Sequence, residues 1–458
     1  MIVFDDLATT LFFQSIPDIL SLSTKKLSIL AIIGPGILIS ATGVGAGDLA
    51  AGAFAGSKLG VAVLWAVLLG AFIKYVITEG LTRWQLATGL TLIEGAILKL
   101  GRPAQYFFIS YFLIWTFGVG SSLVSACGVA AHALFPVFDD PEQGKLVFGI
   151  LHSLMGLGLV WIGSFKLFER VMSLCVGVMF VLVVVTAILV QPDWLDVARG
   201  MVIPSVPEYI QNGTDQGIGW TLALMGGVGG TLTILSYGYW IREEGREGPE
   251  ALSICRLDLA VAYIVTAVFG LAIIIIASKS DLDRQASATL VVSLSNQLGG
   301  VLGSVGRGIF LIGAWAAMFT SLLGVWQSVP YMFADYWRLT QQKRNHEGVD
   351  KGAVDKDVAD AKISMQSRPY RVYLIIIATI PMAGLLYDFE LVQKLNSIYG
   401  ALVMPMVALV LILLNGRQAW VGAKMKNHPV TAVFLVGVLV FFFYLGGPAI
   451  YRSVLAIF

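Results

Sequence analysis

The sequence predicts an all-α membrane protein, and three observations carry that prediction. Of the 458 residues, 57% belong to the apolar set AVILMFWYC and only 13% are charged, with a mean hydropathy of +0.81. Soluble domains carry about 25% charged residues, so this chain is not built to face water on all sides. The apolar residues come in long runs, each near the roughly 20 residues that one helical crossing needs. Those runs are uniformly apolar rather than alternating, which excludes barrel strands of about ten residues and leaves helices as the way to satisfy backbone polar groups in lipid.

The elements follow in order. Residues 1–26 contain Asp5 and Asp6 and lack a basic start followed by an apolar run, so they are expected to be a short cytoplasmic lead-in rather than a cleaved signal peptide. Apolar runs then recur at 27–56, 60–86, 105–135, 146–164, 169–191, 217–241, 257–279, 301–335, 370–387, 392–415 and 429–447, each bounded by a charged, polar or Gly/Pro-rich joint. These are read as eleven spans. With the N-terminus inside, most basic residues fall on the inner side, among them Lys25, Lys26, Arg242, Arg246, Arg338, Lys343, Arg344 and Lys424. That bias fixes the expected orientation, with the C-terminus outside. The stretch 338–369 mixes both charge signs with few apolar residues and is expected to be an inner, flexible connector.

Several function classes drop out. Thirty basic residues against 29 acidic ones give a net charge of +1, without the basic excess that nucleic-acid binding demands. Cys127, Cys175 and Cys255 sit in or beside apolar runs with no CxxC spacing, and His132, His152, His346 and His428 are scattered. The glycine runs are followed by no Lys-Ser or Lys-Thr and preceded by no strand, so phosphate-loop and dinucleotide readings fail. Neither an enzyme nor a cofactor is expected. The expected partners are the lipid bilayer and a transported ion or small molecule, handled by a chain that is compatible with acting as a monomer.

Two spans are interrupted in matching places. Span 1 contains Gly43-Val44-Gly45-Ala46-Gly47-Asp48 and span 6, five spans later, contains Gly226-Gly227-Val228-Gly229-Gly230-Thr231. Each glycine costs a helix about 1 kcal/mol relative to alanine. Paired, glycine-broken segments point to the midplane site of an inverted-repeat transporter, where freed carbonyls hold a cation and half-helix N-termini face an anionic group. Close packing through small residues is the bland alternative.

Gly34-Pro35-Gly36-Ile37-Leu38-Ile39-Ser40, Ala55-Gly56-Ser57-Lys58-Leu59-Gly60 and Val63-Leu64-Trp65 resemble the first two helices of the Nramp divalent-metal transporters. The resemblance continues in Leu86-Ala87-Thr88-Gly89-Leu90-Thr91-Leu92-Ile93-Glu94 and from Asn396 through Met404-Pro405 to Asn415. It implies a LeuT-like fold of two inverted five-helix repeats, 27–191 and 217–415, plus an eleventh helix at 429–447. It also implies alternating-access transport of a metal cation in a cell membrane. The departures fall on the ligands. Where the family carries Asp-Pro-Gly-Asn this chain has Gly45-Ala46-Gly47-Asp48, and the family's Met-Pro-His aligns with Gly230-Thr231-Leu232. Loss of the thioether removes the expected preference for soft transition metals over hard ions. Span 3 offers Thr116, Ser121, Ser122 and Ser125 where the family has carboxylates for protons, so proton coupling is not expected. A small organic solute such as an amino acid, bound at the two breaks, is the alternative cargo.

The expected site comprises Gly45, Asp48, Gly229, Gly230, Thr231, Gln327 and Asn396, with Asp48 as the one candidate metal ligand. An intramembrane carboxylate marks a functional site, although an Asp after glycines is also a good N-cap. Gln327 and Asn396 are either site groups or interhelical glue. Glu79 and Arg83 are spaced i,i+4 with the acid first, which suits a structural ion pair or a gate. Lys74 fits either a bundle-facing or a snorkelling position.

Overall fold

The structure is a computed structural model, and it describes residues 35–36, 46–162, 165–211, 214–279, 287–345 and 364–448. Helix α1 opens as a wide π-helical turn, Ala46–Ala51, and continues as Gly52–Leu59. Gly60, at φ 66°, stops it, and a 3-10 turn, Gly60–Val63, leads into α2, Leu64–Thr88. The short α3, Leu92–Leu100, starts on a capping box in which Thr91 and Glu94 satisfy each other's backbone N–H. Three helices follow: α4, Arg102–Leu134, with Pro103 in its first turn; α5, Pro141–Ile162; and α6, Phe165–Leu189. Asp193 caps α7, Trp194–Val202. A minimal antiparallel hairpin, Ile210–Gln211 with Thr214–Asp215, completes the first half.

The second half begins with α8, Gly217–Gly227, which is separated from α9, Ser236–Glu243, by extended and left-handed backbone and a 3-10 turn. Next come α10, Leu252–Ala277, and α11, Leu290–Asn345, which is broken at Gly303. Helix α12, Arg368–Thr379, tightens into a 3-10 turn, Ile380–Leu386, at Pro381. Asp388 caps α13, Phe389–Ala401, which runs almost straight into α14, Val403–Asn415. The short α15, Gln418–Met425, and α16, Pro429–Phe441, close the described chain.

Among the described residues nine segments are long and apolar enough to cross a membrane. One of them, Asp48–Thr88, holds both span 2 and the described part of span 1, and expected span 5 corresponds to α6. The start of span 1, including Gly45, lies outside the described residues. Span 8 runs on to Asn345, so the first part of the expected 338–369 connector is helix. Its cause is packing: Leu339 is buried and Arg338 reaches Glu94 and Asp335. Residues 346–363 of that connector lie outside the described residues.

Burial orders the bundle. The segment Gly217–Glu243 is 94% buried over its most apolar window, whereas Pro141–Ile162 and Pro429–Gly446 are 28% buried, so the sixth span is the axis and α5 and α16 are peripheral. Helices α8 and α13 pack together, α10 packs on α1 and α2, and α4 packs on α5 and α11. Trp84, Trp115, Trp220, Trp240 and Trp326 fill the interior, while Leu154, Ile162, Ile188, Val433 and Phe443 point outward as a lipid-facing surface.

Candidate functional site

The break in the sixth span is sharp because its glycines are used as glycines. Helix α8 ends at Gly227, Val228 is at ψ 121°, and Gly229 and Gly230 take φ 75° and 82°, a region that a side chain would strain. Thr231 then re-enters the chain toward α9, and its hydroxyl accepts from Trp115 Nε1 of α4 at 2.8 Å.

Two buried charges hold one peptide unit of this break from its two ends. Asp48, fully buried in the π-helical turn of α1, accepts from Gly229 N at 3.0 Å through Oδ1. Lys74, buried on α2, donates to Val228 O and, at 2.8 Å, to Gly226 O. The Val228 carbonyl and the Gly229 N–H belong to the same planar amide and point in opposite directions. The arrangement therefore reads ammonium, carbonyl, amide, carboxylate, with the peptide dipole aligned between opposite charges. Lys74 also caps the C-terminal, electronegative end of α8. The carboxylate of Asp48 reaches across to another helix rather than back to its own backbone, which is not the N-cap geometry.

The second oxygen of Asp48, Oδ2, is buried without a hydrogen-bond partner among the described residues. So is Asn396 Oδ1 on α13, the helix that packs against both the Asp48 turn and α8. These are acceptor oxygens in the middle of a bundle, and such groups are costly unless a donor or a cation reaches them. Gly226 lies 2.1 Å, measured from an added Cβ, from Ser397 O, so α8 and α13 touch backbone to backbone beside the break.

Gln327 is placed elsewhere. With Ser236, Tyr239, Trp240, Glu243, Ser328, Tyr331 and Met365 it lines a separate cavity of about 40 Å³ along α9 and α11, room for a water. Its Oε1 is also buried and unpartnered. Thus the structure brings Asp48 and Gly229 together, turns the Thr231 hydroxyl to Trp115, sets Asn396 on the helix packed beside the break, and leaves Gln327 in a separate polar cavity.

Glu79 and Arg83 form an ion pair at 2.8 Å, and Glu79 is fully buried. It is shared with Arg256 of α10 at 2.7 Å, while Arg83 also donates to Met425 O and Asn427 Oδ1. Glu79 thereby ties α2 to α10, and Arg83 ties α2 to the segment before α16. Sequence reading missed the second arginine and two like clusters. Glu94 accepts from Arg242 and Arg338, and Asp335 from Arg338 and Tyr239. Asp258 accepts from Gly36 N, Tyr237 and Arg246. Burial works against the charge of Arg246, yet the Asp258 carboxylate beside it leaves its pKa raised overall. The available signal was a lone carboxylate inside or at the edge of an apolar run, as at Glu79, Asp258 and Asp335. At the opposite end of the bundle Lys58 pairs with Glu390 and donates to Tyr209, and Lys394 donates to Gln216.

A bundle built on a broken, fully buried sixth helix, gripped by a π-turn of the first, defines an all-helical, multi-pass membrane protein. Solved structures place it in the LeuT-like fold class. A manganese transporter of Eremococcus coleocola superposes with a TM-score of 0.67 at 16% identity, covering 94% of this chain and 89% of that one. MhsT in complex with L-phenylalanine gives a TM-score of 0.55 at 15% identity over 94% and 99% of the two chains. The family model described as "Natural resistance-associated macrophage protein-like" matches residues 36–451. The chain belongs to the Nramp family. Among relatives, a divalent metal cation transporter MntH of Chromohalobacter salexigens is 25% identical over 202 residues, 41% of this chain and 43% of that protein. An uncharacterized protein of Pasteurella multocida is 22% identical over 308 residues, 64% of this chain and 68% of that one. The matched region thus spans 43% of the length of the MntH relatives.

Proposed function

We propose that the chain carries a metal cation across a membrane by alternating access, rocking one group of helices against the other around the break between α8 and α9. Asp48 Oδ2 supports this reading most directly, because it is a buried carboxylate oxygen at the centre of the bundle with no donor among the described residues. Asn396 Oδ1 would add a neutral oxygen, and the peptide groups of the break would add more. An all-oxygen ligand set with no thioether and no imidazole suits a hard divalent ion that keeps part of its water. Family membership and the name carried by the MntH relatives point to the same class of cargo. An organic acid is less well served. Its carboxylate would need the backbone N–H of the break, and Asp48 already takes the one at Gly229.

In this reading residues 27–191 and 217–415 are the two inverted repeats, 429–447 is peripheral, and the N-terminus faces the cytoplasm. The Glu79, Glu94 and Asp258 clusters then close the inner end. Isothermal titration of purified protein with manganese, magnesium and calcium tests the site. Saturable binding that disappears in Asp48→Ala is expected, and absence of binding for all three ions would refute the proposal.

A further inference from the structure

Lys74 is the feature that the cation-carrier reading does not absorb. It is a cation in the middle of an apolar helix, 1% exposed, and it does not snorkel to either end. Its ammonium sits instead on the carbonyls of Gly226 and Val228, the groups that the break frees for cation binding. Three features make this a seat rather than a chance contact. The carbonyls belong to the electronegative end of α8. The neighbouring amide is pinned from the other side by Asp48, whose remaining oxygen has no partner among the described residues. Thr78, one turn on, bonds its own helix at Lys74 O and meets the Tyr263 hydroxyl of α10 at 2.7 Å, which fixes the stretch of α2 that carries the lysine.

We infer that Lys74 is a tethered cation that opposes the binding of the cargo at Asp48 and thereby sets the affinity of the site. This rests on the cation-carrier reading and deepens it. With the ammonium in place on the carbonyls of Gly226 and Val228, a metal at Asp48 Oδ2 meets a like charge across one peptide unit. Removing the charge of the ammonium therefore strengthens the hold of Asp48 on a cation. A lysine with a purely structural role makes the opposite forecast, because its removal would loosen the break and weaken any binding.

The test compares manganese binding by calorimetry in wild type, Lys74→Met, Lys74→Gln and Lys74→Arg, with thermal unfolding recorded with and without manganese. Lys74→Gln keeps a donor toward the carbonyls and serves where Lys74→Met does not fold. Expected are at least tenfold tighter binding in the neutral variants, wild-type affinity in Lys74→Arg, and larger stabilisation by manganese in the neutral variants than in wild type. Adding Asp48→Asn to Lys74→Gln should abolish the gain. Equal or weaker binding in both neutral variants, with wild type binding manganese, would overturn the role of Lys74 and leave the carrier reading standing. No binding in any variant would remove both.

Discussion

Replacing Glu79 by glutamine removes one charge and leaves the shape of the side chain intact, so its cost measures the electrostatic work of the three-helix clasp. Glu79 is fully buried; it takes Arg83 Nε at 2.8 Å on one oxygen and Arg256 at 2.7 and 3.0 Å on the other. Breaking a buried ion pair by removing one partner costs about 3–5 kcal/mol, because the surviving charge stays desolvated. Two features pull the figure toward the lower limit. The Arg256 side chain is 21% exposed and regains water, and Arg83 keeps its bonds to Met425 O and Asn427 Oδ1. Glu79→Gln is therefore expected to lose about 3 kcal/mol, read from detergent-denaturation curves followed by tryptophan fluorescence. Arg256→Gln should lose less, and the double variant should lose less than the sum, since the two share one interaction. A loss below about 0.5 kcal/mol for Glu79→Gln would class the cluster with exposed pairs and refute the reasoning.

Other expectations are more local. Gly226→Ala places a Cβ 2.1 Å from Ser397 O and 2.8 Å from Ala401 Cβ, so α8 and α13 must separate; a destabilisation of at least about 1–3 kcal/mol and loss of cation binding are expected. Gly437→Ala, which meets nothing within 4 Å on α16, should leave both unchanged or raise stability slightly. Thr231→Val keeps the shape but strands the Trp115 indole N–H, at a cost of about 1–3 kcal/mol in the same unfolding assay. Manganese uptake into liposomes loaded with a pH dye should proceed without acidification, because span 3 carries Thr116, Ser121, Ser122 and Ser125 in place of carboxylates; acidification driven by the metal would contradict this.

Periodic properties were legible in the sequence. Long apolar runs fixed the helices, and Gly60 and Pro381 end or tighten helices because their backbone constraints are local. The span 6 break was readable for the same reason. Its partners were not, because a hydrogen bond between Asp48 and Gly229, 181 positions apart, depends on how helices pack. Lys74 shows the limit most clearly. Its charge within an apolar run sets it apart in the sequence, yet nothing in the spacing along α2 says that its ammonium lands on the carbonyls of α8. Likewise Glu79 and Arg83 declare themselves at i,i+4, whereas Arg256, 177 residues away, does not. Gln327 stands out as a polar group in an apolar helix and Asn396 through the family resemblance, and the packing of α11 and α13 sends them to different places.

Flux tests the central claim most directly. Protein reconstituted in liposomes containing a manganese-quenched dye should admit manganese saturably, and Asp48→Asn, which keeps the size of the side chain and removes the charge that the Gly229 N–H meets, should abolish that uptake. Equal manganese entry through wild type and Asp48→Asn would contradict the assignment of Asp48 as the ligand on which transport turns.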